Sequence, residues 1–220
     1  MPVFDFTLDA VEVRVLGCLL EKEATTPEYY PLTLNALVSA CNQKSNRYPV
    51  VNYGEETVRE AADRLRAKGL VTLIVPSGSR VNKYAHRLAE TLNLGRRELA
   101  LLCTLLLRGP QTAGELHARA GRMHAFSGLD EVEAVLSRLM EFEKGPLAAR
   151  LARAPGMKEP RYRHSLSGEM VEEAPANAPP DASAAASAMQ ELEVQVQALR
   201  KDVEELKREL EDLRKRLNGA

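Results

Sequence analysis

An order of structural elements that occurs twice constrains the fold of this chain more than any other feature. Three amphipathic helical patterns precede two short β-type runs joined by a turn in residues 1–90, and the same order recurs in residues 91–168. Leu8 and Glu12 recur as Leu94 and Glu98, and Arg64 recurs as Arg138. The pattern predicts a mainly α fold with small β-hairpin wings (α+β), arranged as two tandem winged-helix domains.

The helix boundaries follow from capping residues and from glycine and proline. Asp9 and Glu12 form a capping box that begins the first helix, and Thr112 with Glu115 forms another in the second copy. The remaining elements of the first copy are predicted as helices at Thr33–Cys41 and Glu55–Lys68 and a hairpin of Leu70–Val75 with Arg80–Ala85. Those of the second copy are helices at Leu94–Leu107, Thr112–Ala120 and Asp130–Phe142 and a hairpin of Leu147–Arg153 with Arg161–Leu166.

A heptad pattern ends the chain. Residues 169–187 are rich in Ala and Pro and are predicted to be a linker, and residues 188–218 a parallel coiled coil. The predicted dimer contacts are Leu192, Val196, Leu199, Val203, Leu206, Leu210, Leu213 and Leu217. Charged residues on either side of this stripe favour a parallel homodimer, because each g position then faces an opposite or polar e position. A trimer remains an alternative, since no Asn at an a position enforces two strands.

Six consecutive hydrogen-bonding side chains, Asn42 to Arg47, follow the second predicted helix. One interpretation is a surface that donates hydrogen bonds to a polar or anionic partner. The other is a solvated turn whose side chains cap the helices on either side.

The same region resembles a known family. Leu20-Glu-Lys-Glu, Thr26-Pro27 and the stretch from Tyr30 to Val50 are similar to the signature of the YceH-like family of bacterial proteins. The resemblance covers roughly residues 8–166 and leaves out the heptad segment. It implies a cytoplasmic protein of two tandem winged-helix domains with no established biochemical activity.

A winged helix commonly presents its third helix to the DNA major groove and its wing to the phosphate backbone. The residues predicted to bind nucleic acid are Gln43, Lys44, Asn46, Arg47, Arg59, Arg66, Arg80 and Lys83. Arg59 and Arg66 have an alternative role, because Glu56 and Asp63 lie at ion-pairing distance along the helix. The third helix of the second copy is acidic, which suits a protein partner. The second wing is basic, and either binds an anion or neutralises that acidic helix.

Charge and motif content narrow the function classes. The net charge of −1 combines a mildly basic body with an acidic tail, which gives weak support for a nucleic-acid partner. Cys18, Cys41 and Cys103 form no metal-binding or redox pair, and no catalytic or cofactor-binding motif is present. Neither a signal peptide nor a transmembrane segment is recognisable. We therefore expect a cytoplasmic protein without membrane contact, catalytic activity or cofactor, which binds double-stranded DNA. The alternative is a protein-interaction scaffold.

Overall fold

The computed structural model describes residues 6–75, 81–153 and 159–167. The helices are α1 (Ala10–Thr25), α2 (Leu34–Cys41), α3 (Glu55–Ala67), α4 (Leu88–Leu92), α5 (Arg96–Arg108), α6 (Ala113–Ala120) and α7 (Leu129–Met140). The strands are β1 (Leu32–Thr33), β2 (Val71–Ile74), β3 (Lys83–His86), β4 (Ala148–Arg150) and β5 (Tyr162–His164). Arg80, the predicted linker and every predicted coiled-coil contact lie outside the described residues.

The six predicted helices and both hairpins are present, in a mixed α+β fold. Side-chain caps fix three of the helix starts where the sequence places them. Asp9 with Glu12 and Thr112 with Glu115 form the expected capping boxes, and the Thr33 hydroxyl accepts from the Ala36 N–H. In the part of the chain described here, no helix is long and apolar enough to cross a membrane.

Three elements of the described chain were not predicted from the sequence: α4, β1 and a 3₁₀ helix at Pro27–Tyr29. Strand β1 has only two residues, and its hydrogen bonds go to β3, about fifty residues later in the chain, so no local pattern marks it. It is the edge of an antiparallel sheet of order β1-β3-β2, in which Leu32 pairs with Tyr84 and Leu73 pairs with Tyr84 from the other side.

Equivalent contacts occur in the first half of the described chain (residues 6–93) and in its second half (residues 94–167). The Gln111–Tyr162 bridge in the second half corresponds to the pairing of Leu32 with Tyr84 in the first. In each half a buried glutamate of the first helix also meets an arginine of the third. Glu12 lies 3.6 Å from Arg64 and Glu98 lies 3.0 Å from Arg138. The repeated pattern in the sequence therefore corresponds to repeated contacts.

Helices α1 and α5 bring the two halves together in a shared hydrophobic core. They approach closely at Gly17, whose carbonyl accepts a hydrogen bond of 3.3 Å from the Cys103 thiol. Burial raises the pKa of that thiol, which keeps the hydrogen on sulfur. Gly17 and Cys103 are equivalent positions of the repeated sequence pattern, so the two halves meet at corresponding points of their first helices.

Candidate nucleic-acid interface

The loop after α2 directs most of its polar side chains toward the protein. The Asn42 amide makes two hydrogen bonds with the backbone of Tyr53, donating to its carbonyl at 2.9 Å and accepting from its N–H at 2.7 Å. This pair closes the connection between α2 and α3. Asn42 therefore organises the loop and is not available to a ligand.

Arg47 lies inside the protein, with a side chain that is 0% exposed. Its guanidinium forms an ion pair with Glu21 of α1 and donates to the Ala40 carbonyl at 3.1 Å and to Gln43 Oε1 at 3.0 Å. Glu21 also pairs with Arg122, which follows α6 in the second half. We call Glu21, Arg47, Gln43 and Arg122 the Glu21 cluster.

The same loop contacts the end of α5. Asn46 has a left-handed backbone, with φ of 59°, and its Oδ1 accepts a hydrogen bond from Arg108. The Tyr48 N–H donates to the Leu107 carbonyl at 2.8 Å. Together with the Glu21 cluster, these contacts attach the loop of the first half to the second half.

This geometry corrects the prediction for Arg47. A phosphate cannot reach a buried guanidinium that already has a carboxylate partner, so Arg47 stabilises the fold and is removed from the DNA interface. Gln43 and Asn46 are partly buried and also face protein partners. Lys44 alone of the four predicted contacts in this loop is exposed. The loop is therefore not an open binding surface. Arg47 caps the end of α2 through the Ala40 carbonyl, as the second interpretation predicted, but its side chain is buried and not solvated.

The charges of the Glu21 cluster support each other. Burial would raise the pKa of the Glu21 carboxyl, but hydrogen bonding and positive charge from Arg47, together with the charge of Arg122, lower it below its ordinary value. Burial would lower the pKa of Arg47, but Glu21 raises it. Both shifts favour the ionised pair.

The cluster predicts a specific acid sensitivity. A carboxyl whose pKa is lowered by folding stabilises the protein above its unfolded value, near 4.5 for Glu21, and loses that contribution as the pH falls through the folded pKa. Each unit of lowering is worth about 1.4 kcal/mol. We expect Glu21→Gln to lose less stability than the wild type between about pH 5 and pH 3, measured by urea unfolding. Glu28→Gln, at an exposed site, should retain the wild-type profile.

The outward face of α3 carries charges that pair along the helix. Arg59 contacts Glu55 and Glu56, and Arg66 lies 2.7 Å from Asp63, which confirms the alternative role predicted for both arginines. Their side chains are 39% and 42% exposed. Exposed pairs of this kind contribute about 0–1 kcal/mol, so a phosphate can compete for either guanidinium.

A groove lies beside this face. Asp63, Arg66 and Ala67 of α3 line it with Val71, Thr72 and Leu73 of the first hairpin. Lys83 on β3 is partly exposed. The described part of the candidate interface therefore consists of Lys44, Arg59, Arg66 and Lys83.

The acidic residues of α7, the third helix of the second half, differ in how far they are already paired within the protein. The Glu131 carboxylate accepts from the backbone and hydroxyl of Ser127, and with Arg97 and His124 nearby these contacts lower its pKa to about 2. Glu131 thus belongs to the start of α7, whereas Asp130, Glu133 and Glu141 are exposed.

The second hairpin was expected either to bind an anion or to neutralise α7. Its residue Arg161 donates to the Pro110 carbonyl at 3.2 Å and lies 3.5 Å from Glu115. Glu115 lies in the first turn of α6 and Pro110 in the segment just before that helix, so Arg161 neutralises a charge of α6 and not of α7.

Sequence reasoning missed two buried charged residues of α1. Arg14 is 3% exposed and donates to the carbonyls of Cys41 and Pro49, and Glu21 is 2% exposed. The available signal was helical spacing, because Arg14, Cys18 and Glu21 lie at i, i+4 and i+7 on one face. A charged residue in phase with buried ones indicates a buried partner.

The cysteines and potential metal ligands add no further site. Cys18, Cys41 and Cys103 are buried free thiols. Within residues 6–75, 81–153 and 159–167, no three His, Cys, Asp or Glu side chains are grouped as a metal site.

Comparison with known proteins identifies the family. The family model described as "Protein of unknown function, DUF480" matches residues 8–157. A UPF0502 protein of Opitutus terrae is 50% identical over 197 residues, covering 88% of this chain and 83% of that protein. One of Pelobacter propionicus is 58% identical over 166 residues, covering 76% and 75%.

The UPF0502 protein YceH of Salmonella newport is 46% identical over 201 residues, which cover 90% of this chain and 91% of YceH. The family-model match ends at residue 157, close to the expected extent of the resemblance, while the alignment with YceH covers 90% of the chain and extends past Leu166. These matches confirm the family that the motifs around Tyr30–Val50 predicted. The chain belongs to the DUF480 family of bacterial proteins, which includes the YceH-like proteins.

Proposed function

We propose that this protein is a tandem winged-helix protein that binds double-stranded DNA, is dimerised by a parallel coiled coil at residues 188–218, and acts in the regulation of transcription. It is a binding protein of the cytoplasm and not an enzyme. The observation that carries the proposal is the position of α3. This helix follows α1 and α2, precedes the β2–β3 hairpin, and exposes Arg59 and Arg66, of which Arg66 lines the groove between the helix and that hairpin.

The mode of binding follows from this arrangement. Helix α3 enters the major groove, Arg59 and Arg66 exchange their carboxylate partners for phosphates or base edges, and Lys83 and Arg80 of the hairpin contact the backbone. Lys44 adds a contact from the loop after α2. The buried Glu21 cluster takes no part, because its charges are already satisfied.

The test is fluorescence anisotropy of a labelled duplex titrated with the full chain between about 50 and 200 mM salt. Each lost phosphate contact reduces the slope of log K against log salt concentration by about 0.9. We expect the double substitution Arg59→Ala with Arg66→Ala to reduce the slope by about two. Lys144→Ala, which removes an exposed charge after α7, should leave the slope unchanged.

An unchanged slope in the Arg59 and Arg66 double variant would remove α3 from the interface. A chain ending at residue 170 should bind more weakly than the full chain, because two linked units bind with a higher effective concentration. Absence of binding by the wild type at about 50 mM salt would reject DNA binding altogether.

A second candidate function, a protein-interaction scaffold without DNA contact, is favoured by the surface of the first hairpin. Ile74, Val75 and Val81 are 39%, 67% and 53% exposed. Apolar side chains at a hairpin suit a protein partner better than a phosphate backbone. In a cross-linking experiment in cells, Val75→Asp should abolish the capture of a specific protein if the scaffold function is correct.

A further inference from the structure

A pocket of about 490 Å³ opens at the beginning of α5, in the second half of the described chain. It is lined by Gly95, Arg96, Arg97, Glu98, His124 and Arg138. Three arginines and a histidine surround one glutamate, so the lining is positive. None of these residues belongs to the candidate nucleic-acid interface on α3.

The contacts of the arginines and of His124 leave donors available. Arg138 Nη1 lies 3.0 Å from Glu98 Oε1, while the Arg138 side chain remains 64% exposed. Arg97 and His124 lie 3.5 Å and 3.6 Å from Glu131 at the rim. Among the described residues, Arg96 has no ion-pair partner.

The backbone adds further donors. Gly95 is the N-cap of α5, and no side chain accepts a hydrogen bond from the first turn of this 13-residue helix. The N–H groups at the start of a helix and the helix dipole both favour an anion at this position.

In the first half, the equivalent hydrogen-bond donors at the start of α1 bind a carboxylate. At the equivalent start of α1, Asp9 occupies the position of Gly95, and its carboxylate accepts from the N–H groups of Val11 and Glu12. It also accepts from Arg64 at 2.8 Å. The three donors recur in the second half as the N–H groups of Arg97 and Glu98 and the guanidinium of Arg138. The carboxylate does not recur, because glycine replaces aspartate.

We propose that this pocket binds a phosphate group, which takes the place that the Asp9 carboxylate occupies in the first half. The two backbone N–H groups and Arg138 hold it as their equivalents hold Asp9, and Arg96 and Arg97 add charge-assisted hydrogen bonds. A phosphate monoester carries between one and two negative charges at pH 7. This charge suits the three arginines that line the pocket, whereas the Asp9 carboxylate carries one charge and contacts one arginine.

The chemistry of a phosphate group is shared by two sources, a small soluble phosphate compound and the backbone of DNA. The pocket is concave, and it is lined by the start of α5 together with His124 and Arg138. The proposal does not depend on DNA binding by α3.

The test is a two-dimensional ¹H–¹⁵N NMR titration of the full chain with inorganic phosphate, replacing chloride at constant ionic strength. We expect saturable shifts of the Arg97 and Glu98 amide signals. Gly95→Asp supplies the missing capping carboxylate, so it should reduce phosphate affinity at least about tenfold and raise the urea midpoint. The backbone of Gly95, with φ of −82°, accepts a side chain, and the nearest obstacle is the carboxylate end of the Glu98 side chain.

Two further variants keep the test independent of folding defects. Arg96→Ala with Arg97→Ala alters only exposed side chains and should also weaken phosphate binding about tenfold, whereas Arg87→Ala, at an exposed position outside the pocket, should not. A duplex that shifts the same two amides, where inorganic phosphate does not, would identify the DNA backbone as the source. If neither ligand gives saturable shifts, or if Gly95→Asp binds phosphate as well as the wild type, the proposal is wrong.

Discussion

Replacing Arg47 with alanine is expected to lower the free energy of unfolding by about 3 kcal/mol or more. The guanidinium is fully buried, and its removal leaves the Glu21 carboxylate inside the protein with one ion-pair partner in place of two. Breaking a buried ion pair in this way costs about 3–5 kcal/mol, because the remaining charge is poorly compensated. Arg122 still contacts Glu21 from a partly exposed position, which places the expected loss near the lower end of that range.

Urea unfolding followed by tyrosine fluorescence measures this loss in the right part of the chain. The protein has six tyrosines and no tryptophan, and all six tyrosines precede residue 163, so the signal does not report on the heptad segment. Arg59→Ala is the matched control, since it removes the same side chain from an exposed ion pair. Its expected loss is about 0–1 kcal/mol. A similar small loss for Arg47→Ala would show that the buried pair contributes no net stability.

The elements of this fold were predictable where the determinants are local. Helices α1, α2 and α6 begin directly after Asp9, Thr33 and Thr112, because the side chain of each of these residues caps the first turn that follows it. Strand β1 was not predictable, because its two residues become a strand only through pairing with β3. The periodicity of hydrophobic residues and the capping residues therefore predict the order of the elements. The edge strand of the sheet depends on pairing between residues far apart in the sequence, which these local patterns do not predict.

The candidate site was less predictable, for a related reason. The donors of the loop Asn42–Arg47 are visible in the sequence, but their acceptors are not. Arg47 donates hydrogen bonds to Glu21, which lies 26 residues earlier in the sequence, and Arg122, which lies 101 residues after Glu21, also donates to it. A run of hydrogen-bonding side chains such as this one occurs both in loops that bond to the protein interior and in loops that bind a ligand, so the sequence does not distinguish them. Only the fold distinguishes the two, and it assigns most of this loop to the interior.

The motif that resembles the YceH-like family most specifically holds the two halves of the body together, so its presence in a relative indicates the same internal arrangement and not a shared ligand. The proposed ligand contacts are then the exposed cations of α3 and of the α5 pocket.

Replacing Gly17 with valine is expected to destabilise the protein by about 3 kcal/mol, because α1 and α5 leave no space for a side chain at their crossing. A Cβ atom at Gly17 would lie 2.8 Å from Leu107 Cδ2 and 3.3 Å from Leu106 Cβ. Overpacking a core in this way costs about 1–3 kcal/mol, and valine adds two methyl groups beyond the first clash. The same urea and tyrosine-fluorescence measurement applies.

Two comparisons separate this steric effect from helix propensity. Gly114→Ala lies within α6, where the nearest atom to a new Cβ is 3.9 Å away, and should stabilise the protein by about 0.5–1 kcal/mol. Leu107→Ala removes the side chain that the introduced valine would strike, so the double variant should be more stable than the sum of the single effects by about 1–3 kcal/mol. If the losses in the free energy of unfolding are additive, α1 and α5 move apart to accommodate the valine and no specific clash with Leu107 occurs. A positive coupling would show that α1 and α5 depend on the close contact between Gly17 and Leu107.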